Sequence, residues 1–190
     1  YSKVMGGLKP EHRAFEHARV DQIDQRAQAA IDLQSKTPCF YRGAEAINWM
    51  LKYRWIRSAE KGKTEAEREP YYFSLVSELF DYVAIEIYSV DKRVFRGFLI
   101  LSVLVKKGRI WLKILDFAFK DPDDGDLAAY FGLIYAKKFS ADRLEFPASL
   151  LEYFKQNPLV QPLIKQQQRL YLYYPKTHGS VLEGCKEGIR

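Results

Sequence analysis

The sequence predicts a mixed α/β domain, one β-sheet with helices on both sides, and three observations carry that prediction. Three runs rich in Val, Ile, Leu, Phe and Tyr (Tyr82–Tyr88, Val94–Val105 and Ile110–Phe119) are separated only by the short turns 89–93 and 106–109. Strand, turn, strand, turn, strand is the pattern of an antiparallel meander. The segment that follows, Asp126–Phe139, is apolar nearly all round, and a helix of that kind is buried against a sheet. Ahead of the meander, two segments repeat apolar residues at helical intervals.

Taken in order, residues 1–18 carry Gly6, Gly7 and Pro10 amid charges and read as an irregular lead-in. Ile23, Ala27, Ala30 and Ile31 predict a helix over Val20–Leu33, with Asp21 and Asp24 in its first turn, where the helix dipole favours acids. Thr37-Pro38 interrupts it. Ala46, Ile47, Met50 and Leu51 predict a second helix from Gly43 to Tyr53. The polar stretch Ser58–Pro70 reads as an exposed, mobile loop. In the meander, the alternation of Val83, Ile85 and Ile87 suits a half-covered first strand, whereas Phe98–Val105 is apolar on both faces and belongs in the middle of the sheet.

Asp121-Pro122-Asp123-Asp124-Gly125-Asp126 is rich in helix-start signals, because N–H groups in a first turn lack intrahelical partners. Gly132 costs the central helix about 1 kcal/mol relative to Ala, which predicts close approach to a strand. Asp142–Phe146 reads as a short strand, 148–156 as a helix opened by Pro147, and Arg169–Tyr174 as a terminal strand. Ile110–Phe119, the central helix and Asp142–Phe146 form a βαβ unit, so those two strands are expected to be parallel. The domain is expected to span 19–176, and the tail 177–190 has no packing pattern of its own.

Composition narrows the function classes. A chain of 190 residues that is 47% hydrophobic and 15% aromatic can bury a core. Its net charge is +6, but bases and acids are mixed nearly everywhere, which describes a solvated basic surface rather than a nucleic-acid footprint. The longest apolar run, Phe98–Val105, contains Ser102 and falls far short of the roughly 20 residues of a membrane span. Cys39 and Cys185 stand alone and read as reduced thiols of a cytoplasmic protein. A first residue Tyr1 predicts a processed chain or a piece of a longer one. His12, His17 and His178 lack metal-ligand spacing, so no metal is expected, and neither a GxSxG elbow nor a P-loop is present. Phe40, Tyr41, Trp49, Tyr53 and Trp55 crowd the second helix, as core, as a pocket lining or as a docking face.

The order helix, helix, three antiparallel strands, helix, strand, helix, strand resembles the GNAT superfamily of N-acetyltransferases over roughly residues 19–175. Phe40-Tyr41-Arg42 with Ile47-Asn48-Trp49 looks like the second helix of GNAT-like domains that often form the later half of tandem proteins. Gly97-Phe98-Leu99-Ile100-Leu101 looks like the third strand, Leu115-Asp116-Phe117-Ala118-Phe119 the fourth, and Ala141-Asp142-Arg143-Leu144-Glu145 the fifth. The resemblance implies acetyl-CoA bound where the fourth and fifth strands splay, with Phe117, Phe119, Gly125, Asp126 and Leu127 around it and the pyrophosphate at the start of the central helix. It implies Tyr153 as the acid toward the departing thiolate and Asp116 as the base, Glu86 being the other available carboxylate. The acceptor would be a small-molecule or peptide amine, and a second GNAT-like domain or a homodimer the partner.

The residues themselves also admit plainer roles. The family's glycine loop is reduced here to Gly125, Pro122 removes a donor, and four aspartates stand where a phosphate would sit, capping and solvating the helix start. Tyr153 can be an aromatic that packs its helix on the sheet, and Asp116 a hydrogen-bonded structural carboxylate. Two functions therefore stand: an acyl-CoA-dependent N-acyltransferase, whole or half of a tandem one, and a degenerate GNAT-like domain serving as an interaction or structural module.

Overall fold

The computed structural model describes residues 14–34, 42–54, 56–58, 75–91, 93–156 and 160–165. The expected terminal strand, the loop over 59–70, the tail, both cysteines, His12, His178, Phe40, Tyr41 and Trp55 lie outside them. Among the described residues the helices are α1 (Gln25–Gln34), α2 (Ala44–Lys52), α3 (Asp126–Lys138) and α4 (Leu151–Lys155). The strands are β1 (Phe15–Val20), β2 (Ile56–Ser58), β3 (Leu75–Ser77), β4 (Leu79–Ser89), β5 (Phe95–Lys106), β6 (Arg109–Phe119) and β7 (Arg143–Glu145). Five of them form one sheet in the order β1-β4-β5-β6-β7, and β2 and β3 pair separately, in parallel.

The expected architecture is present. β4, β5 and β6 are an antiparallel meander with β5 at the centre, and β6 and β7 are parallel across α3. Gly132 does let α3 close on β6: a Cβ there would lie 2.8 Å from Ile114 Cδ1. The segment after Pro147 starts as a 3-10 turn, 148–150, before α4.

Two expectations are corrected. Where the expected lead-in is described, its residues 15–18 and the helix start at Val20 give way to strand β1, which pairs antiparallel with β4, Phe15 opposite Ser89 and Val20 opposite Ala84. Its middle four residues are exposed, so it carries no apolar alternation to read. Here His17 lies edge-on to Phe131 and Tyr135 at 5.1 and 5.4 Å, and desolvation of its ring, with Lys138 nearby, lowers its pKa although the residue as a whole is exposed. The helix begins later because Asp24 accepts the Arg26 N–H at 2.8 Å and caps it. Nor is β4 half-covered: Tyr82, Ala84 and Glu86 are buried along with Val83, Ile85 and Ile87.

The sheet therefore separates two cores. α3 and α4 cover one face, where Ile85, Ile87, Leu99, Leu101, Leu112 and Ile114 meet Phe131, Tyr135 and Phe154. α1 and α2 cover the other, where Ala84, Phe98, Ile100 and Ala118 meet Ala27, Ala30, Ile31 and Ile47. Asn48 fastens α2 beside the start of α1, accepting the Ile23 N–H and donating to the Ile23 carbonyl, both at 2.8 Å.

Candidate functional site

β6 and β7 are joined only over Trp111–Lys113 and Arg143–Glu145. Beyond Lys113, β7 ends and the chain turns away through Pro147, while β6 continues to Phe119. Among the described residues no strand lies beside 114–119 on that side. This open edge ends at the 3-10 turn Pro122–Gly125 that starts α3. The strands thus part where the resemblance places the cofactor.

A bulge decides which side chains border the gap. Ile100 stands opposite Asp116, but Leu101 stands opposite Ile114, so Leu115 is an extra residue on β6 and alternation reverses across it. Leu112 and Ile114 point to the α3 face, as do Phe117 and Phe119 after the bulge, whereas Asp116 and Ala118 point to the α1/α2 face. Asp116 is half-buried; its carboxylate accepts the Phe117 N–H at 3.1 Å and lies 3.9 Å from an Arg42 nitrogen. Burial pushes its pKa up, against the pull of Arg42 and of the Phe117 N–H. A carboxyl so placed is a candidate proton acceptor.

Tyr153 lies on the other face. It packs with the α3-side core, and its hydroxyl reaches the α3 turn: a Cβ on Gly125 would stand 2.6 Å from it. Asp116 and Tyr153, the expected base and acid, are thus not side by side; they flank the open edge of β6 from opposite faces. Phe119 and Leu127 are buried core residues, Phe117 is half-buried with its ring 6.1 Å from that of Phe119, and Gly125 is buried. Glu86 is buried under α1, where Arg26 donates to it at 3.1 Å and the Tyr88 hydroxyl also donates.

The turn before α3 is filled by its own groups. Asp121 accepts the Asp123 N–H at 3.1 Å, and its carbonyl takes the Asp124 N–H. Arg96, the extra residue of a second bulge, donates to Asp124 at 2.8 and 2.7 Å and lies 3.6 Å from Asp121. Burial raises the Asp124 pKa despite that pairing, and Asp121 and Asp126 push the same way. With Pro122 lacking an N–H, Asp121 holding the next two, Tyr153 over Gly125 and four carboxylates around it, the turn does not fit a diphosphate. Sequence reasoning missed Arg96, because nothing local marks a strand arginine as the partner of a turn 28 residues on.

No family model matches the chain, and no curated protein does. Solved structures do align with it. A soil-metagenome aminoglycoside acetyltransferase, meta-AAC0020, aligns over 86% of this chain and 98% of its own, at 11% identity, with TM-scores of 0.48 in its trehalose complex and 0.49 in its sisomicin complex. A probable acetyltransferase aligns over 87% of this chain and 99% of its own, at 8% identity and TM-score 0.49.

Proposed function

We propose that the chain is an N-acyltransferase, moving an acyl group from an acyl-CoA to a small-molecule or peptide amine. The observation that carries this reading is the parting of β6 from β7, which, among the described residues, leaves the edge of β6 over 114–119 unpaired and open to an extended, amide-bearing chain. Asp116 receives the proton of the attacking amine; burial raises its basicity and Arg42 limits the rise. The thioester C–S bond breaks as the amide bond forms, and the Tyr153 hydroxyl, on the far side of the same edge, supplies the proton that the departing thiolate takes up. Alignment of the reactants on the edge supplies the remaining acceleration. The donor brings the activated acyl group. The α3 turn does not hold its diphosphate.

The test is acetyl transfer to a panel of amines, followed by thiol release. The expected outcome is turnover that Asp116→Asn lowers about 10²–10⁴-fold without loss of the folded state by circular dichroism. The absence of both turnover and heat on titration with millimolar acetyl-CoA would sink it.

The filled α3 turn favours a second reading, a GNAT-like domain that has given up the cofactor and pairs with another domain. Self-association or a stable complex with a second GNAT-like domain, together with silence toward acetyl-CoA, would establish that reading in place of the first.

A further inference from the structure

At the opposite end of the sheet lies a cleft of about 260 Å³ that plays no part in the gap between β6 and β7. β1 stops at Val20, opposite Ala84, and among the described residues no strand of the sheet continues beside Asp81–Val83 on that side. The last turn of α2 closes the space above, with Leu51 and Ala84 in its wall. Three cations line it, Arg19, Lys52 and Arg54, against two carboxylates, Asp21 and Asp81.

Asp81 organises the cations. Arg54 meets one of its oxygens at 2.7 Å and Arg19 the other at 3.4 Å, and its own Tyr82 N–H reaches it at 2.8 Å. Among the described residues each guanidinium pairs with Asp81 through one nitrogen, and a guanidinium carries five N–H donors. Both side chains are about half exposed, 55% for Arg19 and 52% for Arg54, so an incoming ion does not have to displace Asp81. With three positive groups facing two negative ones, the cleft favours an anion. Its volume lies below the roughly 300–1,000 Å³ of drug-sized sites, so the ligand is small.

We propose that this cleft is an oxyanion site, taking the carboxylate or phosphate group of a small molecule between Arg19 and Arg54, with Lys52 adding charge. Forked guanidinium donors suit planar or tetrahedral oxyanions better than a spherical ion of equal charge. The probes are inorganic phosphate and acetate, titrated at constant ionic strength against chloride, with binding read from amide chemical shifts and from the melting temperature. Saturable shifts at residues 19–22 and 81–84 are expected with phosphate or acetate and not with chloride; which of the two binds more tightly identifies the source chemistry. Arg19→Ala and Arg54→Ala should each weaken binding about tenfold, Arg54→Lys less, while Lys155→Ala on remote α4 leaves it unchanged. Should the arginine variants unfold, Lys52→Ala leaves the Asp81 pairs in place and is expected to weaken binding several-fold. Equal responses to chloride and phosphate, or wild-type affinity in the folded arginine and Lys52 variants, would overturn the proposal.

Discussion

The same three strands present two unlike faces. Toward α3 and α4, β4, β5 and β6 turn mainly apolar side chains, from Val83 and Ile85 through Leu99 and Leu101 to Leu112 and Ile114, with Asp81 at the margin opposite Val103. Toward α1 and α2, alternate positions of those strands carry Tyr82, Glu86, Ser102 and Asp116 among the alanines and isoleucines. The first face derives its energy mainly from apolar burial. The second spends part of its area on groups that require partners: Arg26 and Tyr88 for Glu86, Arg42 and the Phe117 N–H for Asp116. Apolar burial is concentrated on one side of the sheet, and buried polar groups with their partners on the other.

The largest effect that would test this contrast is Leu112→Ala. The residue is fully buried on the apolar face, and its truncation should cost about 2–5 kcal/mol in urea unfolding. On the polar face, Glu86→Gln weakens the hydrogen bonds from Arg26 and Tyr88 and should cost less, about 1.5–3 kcal/mol; a greater cost than that of Leu112→Ala would break the comparison.

A smaller effect lies in pH. Because burial raises the Asp116 pKa above its ordinary 3.8, the folded state binds more protons than the unfolded one just above that value. Stability attributable to Asp116 is therefore full below the unfolded pKa and falls as pH rises through the folded one. Asp116→Asn should flatten that part of the stability profile and leave the protein no less stable at neutral pH, as read by urea midpoints from pH 3.5 upward. Asp124, raised in the same direction, remains in the variant and leaves a residual slope. The smallest effect is expected at Trp49, which is 65% exposed on the outer side of α2: Trp49→Ala should change stability by no more than about 0.5 kcal/mol.

Much of this was legible in the chain. The meander, the buried central helix and the parallel β6/β7 pair follow from apolar periodicity, because burying one face of a strand or helix leaves a period in the sequence. β1 left no such trace, since its side chains are mostly exposed and the sheet hydrogen bonds that hold it use backbone groups common to every residue. Glu86 was legible as a carboxylate on a strand, but not as a buried one, because its cover comes from α1, 60 residues away.

What the sequence determined by itself is the succession from β4 to α4 and the supply of a carboxylate on β6 and a tyrosine after β7. Only tertiary structure decided which way they point. Strict alternation would send Asp116 to the same side as Leu112 and Ile114, toward Tyr153. The extra residue at Leu115 turns it to the opposite face, because each added residue reverses a strand's two-residue period. Whether a strand bulges there depends on pairing with β5, which local sequence does not encode.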